Sequence, residues 1–153
     1  MLHKKIIILG PPCVGKTTLI ICALKNKIPS FTTHGARSNV QLKSIAKSIL
    51  NLEVSLFLDA GGVTVDYVNR YKDKGRGIKT VLLLPPRDVY LERERMEIER
   101  SKSKSRNQNG LKHYDGLKNL KSEFDLVVED VLYPQEILVL PDTNTHPHCV
   151  CGS

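Results

Sequence analysis

The chain has 153 residues, 41% apolar and 25% charged, which suits a single globular domain with a core of its own. A net charge of +7 calls for anionic partners, yet aromatic residues are only 5%, there is no Trp, and no basic run is interleaved with stacking residues, so nucleic acid is not favoured. No apolar run approaches membrane-spanning length and no charged-then-apolar leader opens the chain, so the expectation is a soluble, cytoplasmic protein without a membrane partner.

The first element is Lys4-Lys5-Ile6-Ile7-Ile8-Leu9, an apolar run that reads as a buried parallel strand. It feeds Gly10-Pro11-Pro12-Cys13-Val14-Gly15-Lys16-Thr17, a complete G-x-x-x-x-G-K-[ST] loop, and then Thr18 to Lys25, which reads as a helix. Strand, loop and helix in that order are the context in which the pattern binds phosphate. The glycines let the backbone turn its N–H groups toward phosphate oxygens, and the helix N-terminus adds partial positive charge. Lys16 adds a full charge, and the Thr17 hydroxyl is a ligand for Mg²⁺. Residues Gly10, Pro11, Pro12, Cys13, Val14, Gly15, Lys16, Thr17 and Thr18 are therefore expected to hold a nucleoside triphosphate, ATP or GTP. Cys13 and Cys22 read as small packing residues in a reducing compartment.

Residues 26–30 break the helix, and Phe31-Thr32-Thr33-His34 is a candidate short strand. Gly35 opens a loop carrying Arg37; Thr33, at the start of that connection, and Arg37 are candidates to bind an acceptor, Arg37 by bidentate contact with a phosphate or carboxylate. His34 reads as an ordinary polar loop residue. Ser38-x-x-Gln41 is a capping box, followed by Leu42, Ile45, Ala46 and Ile49 at helical spacing. Residues 53–58 form the next apolar strand, ending in Asp59-Ala60-Gly61-Gly62. In an open α/β sheet ligands collect at the carboxyl ends of strands, so Asp59 is a candidate to hold Mg²⁺ through water or to accept a proton from an attacking hydroxyl. The alternative is a carboxylate that caps the glycine turn.

Thr64 can cap a helix running through Val65, Val68 and Tyr71, stopped by Gly75 and Gly77. Residues 78–84 are the clearest buried strand. Pro85-Pro86 ends it, and Asp88 is expected to cap a charged helix from Val89 to about Arg100. Arg93 and Arg100 stand seven residues apart on one face of that helix, with Arg95 on a neighbouring face and Arg106 beyond it. Arginines brought down by a closing loop neutralise a migrating phosphoryl group, whereas a solvated helix would pair them with Glu92, Glu94, Glu97 and Glu99. Residues 101–110 are polar, basic and weakly helical, and read as a mobile loop. Tyr114, Leu117, Leu120 and Phe124 mark a further helix, and residues 125–129 and 135–140 are short strand candidates. The tail His146-Pro147-His148-Cys149-Val150-Cys151 is either a zinc-binding tract or a frayed end. No Ser/His/Asp or Cys/His nucleophilic set stands out. Alternating strands and helices give an α/β fold with a mainly parallel sheet.

Gly10 to Thr17, the strand ending in Leu58-Asp59-Ala60-Gly61-Gly62, and Leu83-Leu84-Pro85-Pro86 followed by Leu91-x-Arg93 and Arg100 together resemble the small P-loop kinases, the superfamily of nucleoside-monophosphate and shikimate-type kinases. The resemblance covers roughly residues 4–145. It implies a three-layer P-loop fold whose parallel five-stranded sheet is flanked by helices, within one domain over residues 1–145 and a short Cys/His tail over 146–153. It further implies an acceptor-binding segment around 33–50, an arginine-bearing lid around 88–110, and a base-cradling loop near Pro141-Asp142-Thr143-Asn144. The implied activity is transfer of the γ-phosphoryl group of ATP, with Mg²⁺, to a small anionic acceptor. Lys16, Asp59, Arg93, Arg100 and Arg106 would be catalytic, Thr17 and Asp59 would hold the metal, and Thr33 and Arg37 would bind the acceptor. Residues 60–63 carry no arginine of the adenylate-kinase kind, and Thr33 to Arg37 stand where shikimate-like members have an acidic pair, so the resemblance names no acceptor.

A second resemblance runs from Leu24 to Gly62. Ile28-Pro29, Thr32-Thr33-His34-Gly35 and Asp59-x-x-Gly62 are similar to the switch regions of small GTPases of the ADP-ribosylation-factor type. That resemblance implies a slowly hydrolysing nucleotide switch with a protein partner. The chain carries no N-K-x-D guanine-reading motif. A nucleotide binder without catalysis is the third reading.

Overall fold

A strand buried on both faces needs an unbroken apolar run rather than alternation, and this chain supplies several. The computed structural model describes residues 4–11, 14–33, 38–60, 77–101 and 107–129. Its strands are β1 (Lys5–Leu9), β2 (Ser30–Thr32), β3 (Leu56–Asp59), β4 (Ile78–Leu83) and β5 (Leu126–Val128). Its helices are α1 (Lys16–Lys25), α2 (Asn39–Leu50), α3 (Arg87–Ser101) and α4 (Asn107–Lys118), and a 3₁₀ turn at Lys121–Glu123 leads into β5. The strands form one sheet in the order β2-β3-β1-β4-β5, and every pair is parallel. The expected helix over 64–71 and strand over 135–140 lie outside the described residues.

Ile6, Ile7 and Ile8 in the central strand are at most 1% exposed, as are Leu56, Phe57 and Leu58 beside them and Val81, Leu82 and Leu83 on the other flank. Leu19, Ile20 and Ala23 of α1 and Ala46 and Leu50 of α2 complete the core against the sheet. Ser38 is the N-cap of α2: its hydroxyl accepts the Gln41 N–H at 3.1 Å, satisfying one of the orphan donors of the first turn. At the far end of α2, the buried Lys5 ammonium donates to the Leu50 carbonyl at 2.5 Å, where the helix dipole favours a cation. Asp125 closes the amino end of the β4–β5 pair, its carboxylate accepting the Thr80 N–H at 2.7 Å and hydroxyl at 3.1 Å.

The second half of the chain differs from its sequence reading at three points. Residues 107–110, expected in a mobile loop, are the first turn of α4. Packing overrides their weak helix propensity. Gly110 is buried against α3, and a Cβ there would lie 1.9 Å from Glu94 Oε2 and 2.6 Å from the Tyr90 hydroxyl. Glu94 is itself buried and accepts a hydrogen bond from Tyr90 at 3.0 Å, so the bare glycine lets α4 lie on a satisfied polar pair. Tyr90 also stacks on Tyr114 of α4, with ring centroids 4.8 Å apart. Asp88 is not the cap of α3 but lies within its first turn, where its charge still suits the dipole. The helix through Tyr114 ends at Lys118 rather than near Phe124, which reaches the core from the chain after the 3₁₀ turn.

Candidate phosphate site

The register of the sheet assembles the site. Ile8 of β1 faces Asp59 of β3, and Leu9 faces Leu82 of β4, so the loop after β1 emerges between two strand ends. From β1 the chain crosses toward β2 and β3, whereas from β4 it crosses the other way to β5. The crevice at such a reversal is where open α/β sheets bind ligands.

The two loop glycines serve different ends. A Cβ on Gly10 would sit 2.8 Å from the Leu83 main-chain oxygen and 2.9 Å from Val14, so only glycine lets the loop press against β4. Gly15 has φ 97°, a left-handed conformation that side chains resist, and it swings the chain into α1. Gly15 is the N-cap of that helix and offers no side-chain cap, and the first turn holds no acidic residue. First-turn N–H groups and the dipole thus face an end whose chemistry suits an anion. Thr17 and Thr18 are exposed there, Lys16 is half-buried, and Val14 and Pro11 pack inward. Lys16 Nζ donates to the Gly10 carbonyl at 2.8 Å, spanning the loop it would share with a phosphate. Pro12 and Cys13 lie outside the described residues.

Asp59 is 1% exposed at the carboxyl end of β3, and one of its oxygens, Oδ1, accepts no hydrogen bond among the described residues, although the residue has other polar interactions. Thr33, expected at an acceptor, is 2% exposed, with both its N–H and its hydroxyl donating to the Asp59 carbonyl, at 3.1 and 3.3 Å. Register makes this contact: Thr32 pairs with Asp59, which carries the next residue back over the strand end. Sequence reasoning treated that threonine as a loop residue. Arg37 and His34 are outside the described residues, as are Arg106 and the Cys/His tail.

α3 leaves the same edge of the sheet, after β4. Arg93 is half-buried on it, while Arg100 is paired with Glu97 and its side chain is 79% exposed. Arg95 bonds Glu92 and Glu99 along the surface, which holds the Glu92 carboxyl below its usual range and raises the guanidinium pKa. Arg95 and Arg100 thus have the intrahelical partners that the solvated-helix alternative supplies.

No cluster of three or more His, Cys, Asp or Glu side chains suited to a metal occurs among the described residues. A hydroxyl from Thr17 and a carboxylate from Asp59 would make a hard, all-oxygen donor set, of the chemistry that fits Mg²⁺ bound largely through substrate phosphates and water. None of the described helices is long and apolar enough to cross a membrane.

No family model matches the chain, and no curated protein does. Among solved structures, it is similar to a gluconokinase from Sinorhizobium meliloti, with a TM-score of 0.54 and 14% identity over 73% of this chain and 75% of that one. The chain shares the fold of that gluconokinase structure. A shikimate kinase from Aquifex aeolicus also matches, at 20% identity and a TM-score of 0.48 over 88% of this chain and 90% of its own. The parallel five-stranded sheet flanked by helices is the arrangement the first resemblance implied.

Proposed function

We propose that the protein is an ATP-dependent phosphotransferase that moves the γ-phosphoryl group to a small anionic acceptor. The observation that supports this most strongly is the placement of the Gly10–Thr18 loop, with its left-handed Gly15, at the sheet's point of reversal beside the Asp59 strand end. The main-chain N–H groups of the loop and α1 cradle the phosphates. Lys16 turns from the Gly10 carbonyl to the β- and γ-oxygens, an exchange of one acceptor for a stronger, charged one. Thr17 and Asp59 would hold Mg²⁺, which when bound would neutralise phosphate charge.

Asp59 would hold the metal through water or take the proton of the attacking hydroxyl. Arg93, Arg100 and Arg106 meet the charge that spreads over the transferring group, which requires Arg100 to leave Glu97. Arg37 binds the acceptor's phosphate or carboxylate, in keeping with the chain's net charge of +7. Residues 1–145 act as one kinase domain in which about 33–50 serve the acceptor and about 88–110 cover the site. The work takes place in the cytoplasm.

The test is loss of ATP, and separately of GTP, in the presence of Mg²⁺, alone and with a panel of nucleoside monophosphates and hydroxylated small acids. Turnover of ATP that appears with one acceptor class is the expected result. Slow GTP hydrolysis indifferent to every acceptor would replace this reading with that of a nucleotide switch.

A further inference from the structure

Asp59 is held from both sides by its neighbours' main chains. Its carbonyl receives the Thr33 N–H, an ordinary rung of the β2–β3 ladder, and the peptide N–H that follows it, on Ala60, donates to the Ile8 carbonyl of β1 at 3.2 Å. The Asp59–Ala60 peptide is therefore gripped at its oxygen by one strand end and at its N–H by another. The Thr33 hydroxyl adds a second donor to the same oxygen, at 3.3 Å. That rung lies one residue past β2, where ladders fray, and a valine of the same shape would fill the space without the second bond.

We propose that Thr33 is a positioning residue: its hydroxyl locks the Asp59–Ala60 peptide and so fixes the direction of the Asp59 carboxylate toward the phosphate site. The peptide plane on the C-terminal side of a residue fixes ψ, and with it where Cβ points relative to the sheet. Because Thr33 is 2% exposed, its side chain acts through Asp59 and not on a substrate. The inference rests on the reading of Asp59 as the metal-holding carboxylate.

Two readouts on Thr33→Val and Thr33→Ser test it: amide hydrogen exchange at Ala60, and ATP affinity measured with Mg²⁺ and in EDTA. Thr33→Val should speed Ala60 exchange by about tenfold, the loss of one hydrogen bond. It should also shrink the gain in ATP affinity on adding Mg²⁺ several-fold while leaving affinity in EDTA unchanged, and Thr33→Ser should restore both. Wild-type values for Ala60 exchange in Thr33→Val would overturn the proposal, as would an equal loss of affinity with and without Mg²⁺. Wild-type protein that binds no ATP in EDTA refutes the phosphate-site reading instead, and Ala60 exchange then decides the clamp by itself.

Discussion

Tyr114 carries a hydroxyl into the core, 3% exposed, and donates it to the Pro85 carbonyl at 2.5 Å just past the end of β4. Burial pushes its phenol above the ordinary value of 10.0, against a smaller opposing pull from Arg87. The fold therefore binds that proton more tightly than the unfolded chain does. The stability it lends is complete below about pH 10 and is lost as the pH rises through the folded value. A phenolate could not donate to Pro85 in any case. Tyr114→Phe should cost about 1 kcal/mol at neutral pH. Its decline in alkali should be shallower than wild type, so the gap between the two narrows above pH 10. Chemical denaturation at pH 7 to 11 measures this, and parallel curves would show that Tyr114 is solvated.

The α3–α4 pair turns on one contact. Gly110 crosses directly over Glu94 and Tyr90, and any side chain there must displace a carboxylate that is buried and hydrogen-bonded. Gly110→Ala is expected to destabilise by about 1–3 kcal/mol, the range for overpacking a filled site. Glu94→Ala should relieve part of that loss, and a denaturation cycle over both positions would read the coupling. This junction was hidden in the sequence. Asn107 to Gly110 has the composition of a loop, and only the partner surface on α3 makes it a helix start. The strands were legible because buried parallel strands need continuous apolar runs, which Ile6-Ile7-Ile8 and Val81-Leu82-Leu83 supply by themselves. Ser38 was legible too, since a cap depends only on its own first turn. The Thr33 contact depends on the pairing of β2 with β3, a long-range fact that no local pattern encodes. The arginines of α3 were legible as residues but not in role, because the same helix carries carboxylates one turn away.

Across the whole molecule, sheet order and loop sequence converge on one edge. The order β2-β3-β1-β4-β5 puts the strand that carries the loop in the middle, with the Asp59 strand on one flank and, on the other, the Leu83 carbonyl against which Gly10 packs. The likeness to a gluconokinase structure concerns this framework, and the chemistry rests on the residues standing on it. All of the proposed chemistry requires a triphosphate on the loop, and Lys16 is the one side chain there with a full charge to offer it. An equilibrium titration of wild type and Lys16→Ala with ATP, with and without Mg²⁺, therefore tests the account most directly, with melting temperature measured alongside. The account predicts saturable binding by wild type and a loss of about 100-fold or more in Lys16→Ala at an unchanged melting temperature. Equal affinity in the two proteins would contradict it.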